Sequence, residues 1–70
     1  MVRWKQLHVR PRVTVNLLSG TAVTGVVVDS SGPLLTLKSA VVHDEGGESA
    51  PADGEIVIDK ANIDFIQALS

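Results

Sequence analysis

The side chains of this 70-residue sequence that could do chemistry are few and scattered. The sequence contains no cysteine, so it offers no thiolate nucleophile, disulfide or thiolate zinc ligand. Its two histidines, His8 and His43, lie far apart, and no serine stands at a spacing that predicts a nucleophile with its general base. Gly46 and Gly47 do not lie between a predicted strand and a predicted helix, so they do not form a phosphate-binding loop. We therefore predict that the protein is not an enzyme.

One short run, His43, Asp44 and Glu45, places potential metal ligands side by side. Metal ligands must converge on one ion, and adjacent residues of an acidic loop seldom do so. We interpret this run as the solvated edge of a loop, and predict no metal and no cofactor. Asp29 is interpreted as a turn-forming residue whose carboxylate accepts hydrogen bonds from backbone amides.

Charge is divided unevenly along the chain. Residues 1–28 carry a formal charge of +4 with no acid, and residues 29–70 carry −6, which together give −2. A solvated surface explains such a split, and so does a basic arm that binds an acidic partner, either nucleic acid or a neighbouring subunit.

We interpret residues 1–12 as an extended basic arm and residues 13–70 as the folded domain. Trp4 either caps that domain or anchors the arm in a partner. The predicted partner-binding residues of the arm are Arg3, Trp4, Lys5, Arg10 and Arg12.

A chain of this length forms one small domain with a limited core. Such a domain buries roughly 60 % of the surface of its unfolded chain and usually needs disulfides, a metal or oligomerisation for stability. Oligomerisation is the aid that this sequence leaves open. Its apolar residues come in short runs between turns, so we predict no membrane-spanning segment and no membrane partner.

The apolar pattern predicts an all-β domain. Val, Thr, Ile and Leu dominate short runs that are bounded by Gly, Ser, Asp and Pro. Gly25 interrupts the second run and predicts a sharp bend, where one strand serves both halves of a small barrel. Residues 43–54 are predicted to form a mobile acidic hairpin loop. The five predicted strands are residues 13–18, 21–28, 34–42, 55–59 and 62–69.

Alternation within these strands predicts which side chains face the core. In the last strand, Ile63, Phe65 and Leu69 would face one way. Ile66 and Ala68 would face the other way, so this strand needs apolar cover on both faces. In a domain this small, a second subunit would supply that cover. The predicted core-facing residues of the earlier strands are Val13, Val15, Leu17, Leu35, Leu37, Ile56 and Ile58.

The predicted strands and turns follow one another in a definite order. A strand with alternating apolar residues leads to a glycine turn, a bent strand with an inner glycine, an aspartate turn and a leucine-rich strand. After a variable loop come an apolar strand, a short turn and a final strand that begins with asparagine and an aliphatic residue. The residues of this pattern are Val13, Val15, Leu17, Gly20, Gly25, Val26, Val27, Val28, Asp29, Leu35, Leu37, Ile56, Val57, Ile58, Asn62 and Ile63. Over about residues 13–69, the pattern resembles the Sm-like family of small five-stranded SH3-like barrels.

Sm-like proteins form rings of six or seven subunits, in which the fourth strand pairs with the fifth strand of the next subunit. The resemblance implies that residues 55–59 pair with residues 62–69 of a neighbour, which would hide both sheet edges. The subunit-edge residues it implies are Ile56, Ile58, Ile63, Phe65 and Ile66.

The residues of the family's RNA pocket are missing. Val28 stands where the family has an aromatic residue before the aspartate, and Pro33 stands where it has an asparagine. Asp59 and Lys60 replace the family's Arg-Gly pair. Without the stacking ring, the amide and the guanidinium, this side of the barrel does not favour single-stranded RNA.

A Val-rich barrel with a basic arm and no catalytic residues looks like the small structural proteins of tailed-phage virions. We therefore expect a non-enzymatic assembly protein that self-associates in a ring or lattice and joins a capsid, head–tail or tail assembly through protein–protein contacts. It would lie in the virion if it is phage-encoded, and in the cytoplasm otherwise. Two alternatives stay open: an Sm-like RNA-binding protein that uses the basic arm, and a monomeric adaptor that captures a peptide strand on an open sheet edge.

Overall fold

The computed structural model describes residues 12–69, which form an all-β structure with no α-helix in that range. The predicted all-β class is confirmed. Of the predicted arm, Arg12 alone lies within the described residues. The strands are β1 (Arg12–Leu17), β2 (Ala22–Asp29), β3 (Leu34–His43), β4 (Ser49–Pro51), β5 (Ile56–Asp59) and β6 (Ile63–Ala68), with a 3-10 turn at Lys60–Asn62.

The six strands form one antiparallel sheet in the order β4-β3-β2-β1-β6, and β5 pairs with β3. The long strand β3 serves both ends of the sheet, because its first half pairs with β5 and its second half pairs with β4. Among residues 12–69, no pairing joins β5 to β6. The predicted five-stranded barrel is therefore not confirmed, since the sheet is not closed and has a sixth strand.

The additional strand, β4, lies in the segment predicted to be an irregular loop, residues 43–54. A tight turn brings the chain back, with Gly47 N donating to Asp44 O at 3.1 Å and Glu48 N donating to Asp44 Oδ1 at 3.0 Å. The prediction missed this strand because Ser49–Pro51 contains no alternation of apolar residues. The turn, rather than burial, places β4 against β3.

Strands β2 and β3 bulge at Gly25. The register passes from Thr24 opposite Val41 to Val26 opposite Lys38, so two residues of β3 face one glycine. A Cβ atom at Gly25 would lie 3.0 Å from the Lys38 carbonyl oxygen, which is tighter than nine in ten real Cβ contacts. The glycine predicted to mark a bend thus lies opposite a bulge whose extra residue belongs to β3, and close backbone approach is the reason for the glycine.

The core is small and aliphatic. It confirms the faces that alternation predicts for β1, β3 and β5. Its buried residues are Val13, Val15, Val23, Val27, Leu35, Leu37, Ala40 and Ile58, and Leu17, Val42, Ala52, Ile56, Ile63 and Ile66 pack against them.

In β6 the prediction that Ile63 and Phe65 share a face is wrong, whereas Phe65 and Ile66 lie on opposite faces as predicted. The register between β1 and β6 shifts after Asn16 and leaves Asp64 as an extra residue. One extra residue reverses the alternation of a strand. Ile63 and Ile66 therefore both pack against the core, whereas Phe65 lies on the outer face with 49 % of its surface exposed.

Candidate assembly edges

Strands β5 and β6 each leave one backbone edge without a strand partner among residues 12–69. Within that range β5 pairs with β3 alone and β6 pairs with β1 alone. An edge of this kind presents a row of N–H and C=O groups that another chain can pair with. The two edges belong to consecutive strands, so their relative placement depends on the 3-10 turn between them.

The 3-10 turn is fixed at both the backbone and the side-chain level. Asp59 Oδ1 accepts a hydrogen bond from Ala61 N at 2.9 Å and caps the turn. Lys60 N donates to Pro33 O at 2.9 Å, and Lys60 Nζ donates to the carbonyl of Ser30, a buried residue. The turn between β5 and β6 is thereby tied to the turn between β2 and β3. These contacts hold the two open edges in a set geometry.

Asp29 shapes the neighbouring turn. Its Oδ1 accepts hydrogen bonds from Ser31 N at 3.0 Å and from Ser31 Oγ at 2.8 Å, which confirms the predicted turn-forming role. These bonds favour the ionised carboxylate, and with a smaller contribution from the charge of Lys60 they hold the pKa of Asp29 below its ordinary value. The turn is therefore best formed when Asp29 is ionised.

Of the predicted subunit-edge residues, four have side chains that face inward. Ile58 lies in the core with 6 % exposure, and Ile56, Ile63 and Ile66 are half-buried against the core. Phe65 lies on the outer face. At the edges, the isoleucines therefore offer their backbone groups for contact, and Phe65 offers its ring.

Two exposed aliphatic residues beside the β5 edge were not among the predicted site residues. Val57 is 57 % exposed and Leu34 is 46 % exposed. They are diagonal neighbours across the strand pair, since Leu34 lies opposite Asp59 and Val57 lies opposite Thr36. The alternation that turns Ile56 and Ile58 inward could have identified Val57 as an outward residue.

The predicted arm residues Arg3, Trp4, Lys5 and Arg10 lie outside the described residues, so their role stays a prediction. Arg12 is exposed at the start of β1. Within residues 12–69, three Lys and Arg side chains stand against eight carboxylates. The described surface is therefore acidic. Most of the basic residues among residues 1–28 come before Arg12 in the sequence.

His43, one of the predicted run of potential ligands, is held by hydroxyl groups. Its Nε2 lies 3.1 Å from Thr24 Oγ1, and its Nδ1 lies 2.7 Å from Ser49 Oγ. Between residues 12 and 69, no group of three or more His, Cys, Asp or Glu side chains could hold a metal ion. In the same range no helix is long and apolar enough to cross a membrane.

Comparisons with protein-family models and with curated proteins gave no match. The resemblance to the Sm-like family therefore rests on the residue pattern alone.

Proposed function

We propose that this chain is a non-enzymatic assembly protein whose β5 and β6 edges pair with other protein subunits, including copies of itself. The observation that carries this function is the pair of unpaired edges on consecutive strands, held in a set geometry by the 3-10 turn. A strand that adds to such an edge gains main-chain hydrogen bonds along its length. Because the two edges differ, pairing of β5 with β6 of the next copy is heterologous, and repeats into a ring or a lattice.

We also propose that the bent sheet is a small SH3-like barrel of the Sm-like type, left open between β5 and β6. Several observations support it: β6 pairs with β1, β5 pairs with the start of β3, a bulge of β3 lies opposite Gly25, and a 3-10 turn separates the last two strands. In an assembly, the strand of a neighbour would occupy the opening. The exposed side chains of Val57 and Leu34, beside the β5 edge, would gain apolar contacts with that strand.

We place the protein in the virion of a tailed phage, as a capsid decoration, head–tail or tail component, or in the cytoplasm if it is not phage-encoded. The basic residues of the arm would tether it to an acidic partner.

RNA is the less favoured partner, because eight carboxylates lie among residues 12–69 and Lys60 is engaged with Ser30. Nucleic-acid binding would weaken steeply as salt is raised. Filter binding with oligo-U at two salt concentrations tests that alternative.

Proline substitutions can block each edge separately. Alternate residues of an antiparallel strand direct their backbone groups to opposite sides. Since Lys60 N donates to Pro33 O, the amide of Val57 points away from β3. Since Leu69 N donates to Arg12 O, the amide of Ala68 points away from β1. Val57→Pro and Ala68→Pro therefore each remove an outward donor and spare the internal ladder.

Native mass spectrometry and multi-angle light scattering measure the result. We expect the natural chain to form multiples of its 7.4 kDa subunit, and each proline variant to be monomeric. A mixture of the two variants should form a one-to-one dimer that grows no further, because each variant keeps the edge that the other has lost. A monomeric natural chain at high concentration would rule out self-association and favour a monomeric adaptor that captures a peptide strand. Unchanged masses of both variants would show that other surfaces make the contact.

A further inference from the structure

The outer face of the sheet carries an uncharged surface, which we call the neutral platform. Ten positions in two adjacent rows cross β6, β1, β2, β3 and β4 without a Lys, Arg, Asp or Glu side chain. Each row spans roughly 19 Å, from four strand spacings of about 4.8 Å. The first row is Phe65, Asn16, Ala22, His43 and Ser49, and the second row is Gln67, Thr14, Thr24, Val41 and Pro51.

The centre of the neutral platform is a chain of hydrogen bonds. Thr14 Oγ1 lies 3.0 Å from Thr24 Oγ1, which lies 3.1 Å from His43 Nε2. His43 Nδ1 lies 2.7 Å from Ser49 Oγ. A hydroxyl group has one donor and two acceptor positions, so Thr14 and Ser49 at the two ends keep further capacity. The face is therefore polar without being charged, and its side chains are already oriented.

At one end of the platform an exposed ring lies beside two amides. Phe65 lies directly opposite Asn16 across the strand pair, and Gln67 is the next outward residue of β6. Asn16 Nδ2 donates to Gln67 Oε1 at 3.5 Å. This bond leaves the Asn16 carbonyl as an acceptor and the Gln67 amino group as a donor. The ring, 49 % exposed, and the two amides form one compact cluster.

We infer that the neutral platform binds an uncharged carbohydrate chain, with Phe65 stacking on a sugar ring and with Asn16 and Gln67 bonding its hydroxyl groups. A neutral polyhydroxylated ligand needs paired donors and acceptors and an apolar surface, without charge. The border of the platform carries charges of both signs. Asp64 precedes Phe65 and Asp44 follows His43 in the chain, whereas Arg12 and Lys38 lie on either side of Val26 in the next row of the sheet. The neutral ligand is therefore favoured by the platform itself rather than by its border.

Affinity electrophoresis of the full chain in gels that contain a neutral glucan, mannan, galactan or xylan tests this site. We expect at least one polysaccharide to retard the protein, and titration calorimetry with the corresponding oligosaccharide to give the affinity. Phe65→Ala and Gln67→Ala should each weaken binding about tenfold or more. Val28→Ala is the matched control, because it removes an apolar side chain of similar exposure, 42 %, that lies outside both the platform and the proposed edges, and it should leave binding unchanged. Circular dichroism checks that each variant is folded.

Several results would overturn the carbohydrate site. These are no retardation by any of the four polysaccharides, equal loss of binding in Val28→Ala, or binding of oligo-U in place of sugar. A subunit mass that falls in Phe65→Ala without any sugar binding would make the platform an interface between copies. The inference is separable from edge assembly, because the monomeric Val57→Pro variant retains the platform and should still bind the sugar.

Discussion

Asp29 makes the turn between β2 and β3 dependent on pH. Hydrogen bonds from Ser31 lower the pKa of Asp29 in the folded chain, so its ionised form stabilises the fold above the ordinary Asp value of about 3.9 and this contribution is lost as pH falls. We expect Asp29→Asn to be less stable than the natural chain at pH 7, and the difference to narrow between pH 5 and pH 3. Urea unfolding across that range measures it. A difference that widens on acidification would contradict this assignment.

Gly25 shows how one residue sets the bend of the sheet. A Cβ atom there would lie 3.0 Å from Lys38 O and 3.2 Å from the Leu37 Cβ. We expect Gly25→Ala to lower the free energy of unfolding by about 1–3 kcal/mol through overpacking. Gly46→Ala is the control, since its new Cβ would meet nothing closer than 3.4 Å and should change stability by less than about 0.5 kcal/mol. Thermal unfolding compares the two, and equal stabilities would show that the close approach relaxes without strain.

At the scale of the elements, the sequence predicts the strands whose positions depend only on alternating apolar residues and on turn residues. The positions of β1, β2, β3, β5 and β6 follow from apolar runs and turn residues, and Gly25 marks the place in β2 that faces the bulge of β3. Strand β4 could not be predicted, because its place is set by hydrogen bonds of the turn at Asp44 rather than by burial. The bulge at Asp64 has no signal in composition, and it alone decides that Phe65 faces outward.

The candidate site, like the fold, could be predicted only in part from the sequence. The two edge strands could be identified from the residue pattern, but which of their side chains stay available depends on the register with β1 and β3. Ile58 is an example, because its apolar side chain suggested a contact residue and the packing places it in the core. The neutral platform combines side chains from five strands, so it becomes visible only when the register is known.

At the scale of the whole molecule, residues 12–69 contain the buried core that the structure describes, together with the β5 and β6 edges. We predict that this core and these edges form without the residues that precede Arg12. Those residues carry Arg3, Lys5 and Arg10, and their charge offsets part of the excess of carboxylates in the rest of the chain.

Deletion of residues 1–11 tests this prediction. We expect the shortened chain to unfold cooperatively and to keep its subunit association, because the core and the edges remain. Its net charge becomes more negative, so self-repulsion increases and its thermal midpoint should rise more with added NaCl than that of the full chain. Calorimetry at 20 mM and 500 mM NaCl measures both chains. A shortened chain without a cooperative transition would show that residues 1–11 are needed for folding, and identical salt responses would show that their charge does not act on the sheet.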